Sequence, residues 1–135
     1  MPAERGYEAI TLGTRAGVRA WGGTVAEAFA EAALGVFASI VNPETVDPRE
    51  SREVRAQGDT VETLLVTWIN ECLYVHEIEG FAVQRVDVDT CADGVVHGTL
   101  WGEELDRDRH HPPGLRSTSW VSRPGAGTLE ACSPR

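Results

Sequence analysis

The stretch TVAEAFAEAALGVFASI, residues 24–40, predicts the first of two amphipathic helices that decide the fold. Thr24 followed by Glu27 has the form of a capping box, in which a hydroxyl and a carboxylate satisfy free backbone N–H groups at the helix start. Asn42 and Pro43 are expected to end the helix. Apolar residues at three- and four-residue spacing define its buried face: Val25, Ala28, Phe29, Ala32, Val36, Phe37 and Ile40.

A second helix is predicted over DTVETLLVTWINECLYVHEIE, residues 59–79. It opens on the same pattern, with Asp59 and Glu62 in the capping positions, and it ends before Gly80. Its predicted buried stripe consists of Val61, Leu64, Leu65, Trp68, Ile69, Cys72 and Leu73.

Alternating apolar residues predict strands around both helices, at 17–21, 53–56, 81–90, 95–101 and 115–121. An Asp93-Gly94 step between the third and fourth of these predicts a hairpin turn. Residues 122–135 have little apolar periodicity and are expected to form a weakly ordered tail, or a short edge strand over Thr128–Cys132.

The predicted order is therefore β-α-β-α-β-β-β, which indicates an α+β sandwich with two helices packed on one face of a mixed sheet. No internal repeat and no linker is visible, so residues 1–135 are expected to form a single domain with its core in residues 7–121.

Charge and composition narrow the function classes. The 135 residues carry 12 basic side chains, all of them arginine, against 21 acidic ones, a net charge of −9. A negative surface repels phosphate backbones, so high-affinity nucleic-acid binding is disfavoured and a cation or a protein partner is favoured.

No apolar stretch approaches the ~20 residues that cross a bilayer, and the N-terminus does not resemble a signal peptide, so a cytoplasmic location is expected. Three widely spaced cysteines predict free thiols rather than a zinc site.

One loop concentrates the residues that could carry chemistry. It is GEELDRDRHHPPG, residues 102–114, at the end of a predicted strand. Its carboxylates could hold Ca²⁺ or Mg²⁺, and a solvated charged loop is the alternative. Adjacent histidines such as His110 and His111 point in opposite directions in an extended segment, which argues against both binding one ion. Phosphate-binding, zinc-protease and nucleophile-elbow motifs are absent.

The order of three sequence blocks resembles the archease family. Together the blocks cover most of residues 16–120. They are residues 17–24 running into 27–37, residues 64–74, and residues 101–105 followed by Asp106, Arg109, His110, Gly114 and Arg116.

The resemblance implies an accessory protein rather than an enzyme, with no catalytic residue of its own. Archeases assist the RtcB-type RNA ligase in tRNA splicing, by promoting guanylylation of the ligase and its repeated turnover. The alternative is a diverged archease-fold module for interaction or regulation, with no role in RNA ligation. The matching positions are candidates for partner binding or activity: Glu103, Glu104, Asp106, Arg109, His110 and Arg116.

The resemblance fails at the metal site of the family. Family members bind calcium or another divalent metal through an Asp in a His-Thr-Ala-Asp motif and an Asp at the extreme C-terminus. Here Leu12-Gly13-Thr14-Arg15 occupies the motif, and the chain ends at Arg135 with Glu130 as its last carboxylate. A guanidinium opposes a divalent cation, so no metal or other cofactor is expected, and Arg15 is predicted to pair with a carboxylate such as Glu103.

Overall fold

The strands form two antiparallel sheets. The computed structural model describes residues 4–12, 15–106, 110, 121–125 and 128–132, without the side chains of 12, 15 and 121–132. The first sheet has the order β1-β2-β7-β6, and the second has the order β3-β5-β4. The strands are β1 (Gly6–Leu12), β2 (Arg15–Trp21), β3 (Glu50–Gln57), β4 (Phe81–Ala92), β5 (Val95–Glu104), β6 (Val121–Gly125) and β7 (Thr128–Cys132).

Two helices lie among the described residues: α1 (Val25–Ala38) leads from the first sheet to the second, and α2 (Val61–Glu79) leads from β3 to β4 of the second sheet. A short 3₁₀ turn at Pro43–Thr45 follows α1. Helix α1 packs on β2 of the first sheet and β4 of the second, and α2 packs on β3 and also touches β6. The predicted α+β sandwich with two helices is thus confirmed. Of these helices, neither combines the length and apolar composition that a membrane span requires.

The sheet prediction is wrong in three details. The strands form two antiparallel sheets instead of one mixed sheet, β1 was not predicted, and β7 lies between β2 and β6 instead of at an edge. The physical reason is that β7 pairs with β2, more than 100 residues earlier in the chain, and local alternation carries no information about such a pairing. Most of the strand predicted at 115–121 lies outside the described residues, and β6 begins at Val121.

The helix caps differ slightly from the predictions. Thr24 Oγ1 accepts from Glu27 N at 3.1 Å as expected, but the Glu27 carboxylate accepts from Gly23 N rather than from the cap residue. In α2 the cap is Thr60 and not Asp59, because Thr60 and Thr63 accept each other's backbone N–H at 3.1 and 3.0 Å. The hydroxyl groups of Thr60 and Thr63 therefore form the capping box that was predicted for the carboxylates of Asp59 and Glu62.

The core is built on Trp68, which is fully buried and donates its indole N–H to the Phe29 carbonyl of α1 at 3.0 Å. Two residues of the predicted apolar faces are instead exposed: Val25 (49%) and Val61 (46%) each occupy the first turn of their helix, beyond the edge of the core.

The thiols of Cys72 and Cys91 are free, as predicted, and burial raises the pKa of both.

Two glycines near the candidate loop, one before β4 and one in β5, have backbone roles. Gly80 ends α2 in a left-handed conformation, with φ of 62°, which costs glycine little. Gly102 of β5 faces the Ala82 carbonyl of β4 so closely that a Cβ atom would overlap it. Position 102 therefore requires glycine, and the close approach of the strands sets the position of the next residue, Glu103.

Candidate functional site

Glu103, the second-to-last residue of β5, is a buried carboxylate at the start of the candidate loop. It pairs with Ala82 in β4 and is only 5% exposed. Its Oε2 accepts a hydrogen bond from Asp47 N at 2.8 Å and lies 3.1 Å from His110 Nε2. Arg49 Nε lies 3.8 Å from the other oxygen, Oε1. A buried carboxylate needs such partners, because it has lost its hydration.

The hydrogen bonds of His110 define its tautomer. The ring is fully buried, and its Nδ1 accepts from Asp106 N at 2.8 Å. A nitrogen that accepts carries no proton, so the proton of the neutral ring is on Nε2, which donates to Glu103. The backbone N–H of His110 also donates to the Asp106 carbonyl at 2.7 Å. Two hydrogen bonds thus close the loop from 106 to 110, and a third attaches it to Glu103.

We call Glu103, His110, Asp47, Arg49 and Asp106 the Glu103 cluster. Both ring nitrogens of His110 are engaged within it, so in this conformation the imidazole has no lone pair free for a metal ion or for a substrate proton. The cluster is consequently suited to positioning the loop. The side chains of Glu104 and Asp106 are exposed on either side of half-buried Leu105.

Of the predicted site residues, the structure brings Glu103 and His110 into direct contact and places Glu104 and Asp106 beside them. Arg109 and Arg116 lie outside the described residues. The role of these six positions as a binding site stays a prediction.

Sequence reasoning missed Asp47 and Arg49, which precede β3. The β3–β5 register places Glu50 opposite Gly102, and this brings the preceding segment to Glu103. That register depends on a pairing between distant segments, and the sequence carries no local signal for it.

The expected loss of the family's calcium site stays a prediction, and only the surroundings of Glu103 can be examined in the described part of the chain. There, no group of three His, Cys, Asp or Glu side chains is placed to hold one metal ion. The Glu103 carboxylate is already occupied by N–H donors and faces a guanidinium. The side chain of Arg15, at the start of β2, and those of the C-terminal strands are not described, so its predicted pairing with Glu103 stays a prediction.

The architecture matches a solved fold. The solution structure of Methanobacterium thermoautotrophicum protein 1598 superposes with a TM-score of 0.71, covering 94% of this chain and 95% of that one at 23% sequence identity. The protein therefore belongs to the class of small α+β sandwiches in which two helices pack on two antiparallel sheets.

Sequence comparison identifies the family within this class. The model of the archease protein family (MTH1598/TM1083) matches residues 7–115. Protein archease of Thermococcus gammatolerans is 38% identical over 99 residues, which cover 71% of this chain and 70% of that protein. Protein archease of Danio rerio is 28% identical over 112 residues, or 81% and 69% of the two chains. The chain belongs to the archease family, and the resemblance read from its three sequence blocks is confirmed.

Proposed function

We propose that this chain is a cytoplasmic accessory factor that assists an RtcB-type RNA ligase in tRNA splicing, by promoting guanylylation of the ligase and its repeated turnover. The observation that carries the proposal is the family match over residues 7–115. This range includes Glu103 and His110, whose contact organises the candidate loop. In this proposal the protein is not itself an enzyme.

The proposed contact is with the ligase protein and not with RNA. The net charge of −9 repels a phosphate backbone, whereas it attracts a basic protein surface. Glu104 and Asp106 present exposed carboxylates on the loop held by the Glu103 cluster. We propose that they, with Arg109 and Arg116, contribute to the docking surface.

We further propose that the metal site of the family is lost in this chain. Arg15 replaces the carboxylate of the motif, and a positive charge about 4 Å from a divalent cation opposes its binding. The same replacement favours the second candidate function, an archease-fold interaction or regulatory module that has no role in RNA ligation.

A guanylylation assay tests the proposal. Ligase, GTP and a broken RNA substrate are incubated with and without this protein, and the guanylylated fraction and the RNA joined per ligase molecule are measured. We expect both to rise. The Glu104→Gln/Asp106→Asn double variant should stimulate less than the Glu44→Gln/Glu71→Gln control, which removes the same charge elsewhere. No stimulation and no complex in a pull-down would favour the regulatory module instead.

Calorimetric titration with calcium tests the metal proposal separately. We expect no site tighter than about 1 mM, the weak end of the range for protein calcium sites. A site with a micromolar dissociation constant would contradict the loss of the metal site, whatever the ligase assay gives.

A further inference from the structure

A cleft lies at the end of the molecule opposite to the Glu103 cluster. It has a volume of about 230 Å³ and is bordered by the starts of both helices and by the β4–β5 turn. Strand β5 runs from this turn to Glu103, roughly 27 Å away at ~3.3 Å per residue. The described residues that line the cleft are Val25, Gly58, Asp59, Thr60, Val61, Leu64, Cys91, Ala92, Asp93 and Gly94.

The interior of the cleft is apolar and open. Val25 and Val61 are each nearly half exposed, although both belong to the apolar stripes of their helices. Buried Leu64 and half-buried Cys91 also line the cleft. A cavity of about 150 Å³ holds a benzene molecule, so the volume here accepts one aliphatic side chain. Exposed apolar residues that surround a concavity of this size are typical of an interaction site.

The rim of the cleft is acidic. Gly58 N donates to the Gly94 carbonyl at 3.0 Å, and this bond holds the turn against the start of α2. Asp59 and Asp93 are the residues next to these two glycines, and both are exposed. In the described part of the chain, neither carboxylate takes part in an ion pair or a side-chain hydrogen bond, and none of the lining residues is basic.

We infer that this cleft binds a short segment of a partner protein in which one aliphatic side chain is flanked by arginine or lysine. The aliphatic group would fill the space between Val25, Val61 and Leu64. The flanking cations would meet Asp59 and Asp93, which have no ion-pair partner among the described side chains. Charge complementarity selects this occupant, because a nucleic acid or an acidic peptide would be repelled by the rim. The inference goes beyond the proposed function and does not depend on it.

NMR titration of the full-length protein with three capped pentapeptides tests the inference. The probes are Gly-Arg-Leu-Arg-Gly, Gly-Glu-Leu-Glu-Gly and Gly-Arg-Ser-Arg-Gly, titrated at about 20 mM salt, where screening is weak. We expect the first peptide alone to shift the amide resonances of residues 58–64 and 91–94. Asp59→Asn/Asp93→Asn should weaken its binding about tenfold, since each exposed ion pair contributes up to a factor of about five.

Two matched variants complete the design. Glu44→Gln/Glu71→Gln removes the same charge away from the cleft and should leave the affinity unchanged. Val61→Ser should weaken binding without changing the charge. The inference is overturned if the three peptides bind equally, if none binds up to about 5 mM, if the shifts lie outside the cleft, or if both charge variants behave alike. Resonances of the cleft that shift with protein concentration alone would assign it to a second copy of this chain and would equally overturn the inference.

Discussion

His110 Nε2 and Glu103 Oε2 lie 3.1 Å apart, and both side chains are almost completely buried. The two residues are seven positions apart, so this contact closes the loop onto the end of β5. Because Nδ1 of the same ring accepts from Asp106 N, the imidazole links a strand carboxylate to a loop backbone.

Removing the carboxylate should destabilise the protein. Glu103→Ala leaves the buried His110 Nε2–H without an acceptor and also removes the acceptor of the half-buried hydrogen bond from Asp47 N, so we expect the free energy of unfolding to fall by about 3 kcal/mol. Urea denaturation measures the change. The exposed neighbour is the control: Glu104→Ala should change stability by less than about 0.5 kcal/mol. Equal effects of the two variants would show that the cluster contributes nothing.

Replacing the imidazole should loosen the loop locally. His110→Phe keeps an aromatic ring but removes the acceptor for Asp106 N–H, so we expect amide exchange at Asp106 to accelerate about tenfold. Hydrogen exchange followed by NMR gives the rate. Leu105 N–H donates to the Gly80 carbonyl at 2.6 Å and should keep its protection, so faster exchange at both amides would point to general unfolding.

Two glycine substitutions should differ in cost for a steric reason. Gly80→Ala meets no atom within 4 Å and suffers only from its positive φ, so we expect a loss of about 1–2 kcal/mol. Gly102→Ala drives a methyl group into the Ala82 carbonyl and must separate β4 from β5, for which we expect more than about 3 kcal/mol. Thermal unfolding compares them. A mild effect at position 102 would show that the strands can separate cheaply.

The surface of the second sheet carries a pH-dependent pair. His97 Nδ1 lies 2.8 Å from Asp89 Oδ1, and His97 Nε2 lies 3.4 Å from Glu53. The hydrogen bond to Asp89 raises the pKa of His97 above its ordinary 6.5, and the hydrogen bond to His97 lowers the pKa of Asp89 below 3.8.

The sign of each shift fixes the pH window. The contribution of His97 is complete below pH 6.5 and disappears as the pH rises through its raised pKa. The contribution of Asp89 is complete above pH 3.8 and disappears as the pH falls through its lowered pKa. A double-mutant cycle with His97→Gln and Asp89→Asn should therefore show coupling at about pH 5 and none at about pH 9. Coupling that persists at about pH 9 would mean that a hydrogen bond from the neutral His97 imidazole to Asp89, and not their charges, is responsible for the coupling free energy. Since the pair is exposed, added salt should reduce the coupling.

Local sequence patterns predicted the elements that depend on neighbouring residues. Both helices follow from apolar spacing and capping residues, and the β4–β5 hairpin follows from its Asp-Gly turn, where Asp93 and Gly94 adopt φ of 56° and 73°. The prediction of Asp59 as the cap was wrong, since Asp59 and Thr60 are both good N-cap residues and the hydroxyl of Thr63 decides between them.

The sequence predicted only some of the residues of the candidate site. The charged loop was recognised by its composition, and Glu103 and His110 were selected within it by the family resemblance, but nothing local indicated that they would be buried together. Asp47 and Arg49 escaped notice, because they reach Glu103 only through the pairing of β3 with β5.

The sequence by itself determined the helices, the hairpin and the family, since each of these depends on residue types at short spacing or in a fixed order. The tertiary structure alone decided that β7 lies inside the first sheet, that Glu103 is buried against His110, and that Val25 and Val61 border an open cleft. The physical reason is that burial and strand neighbours depend on which distant segments come together, and that choice is made by the packing of the whole chain.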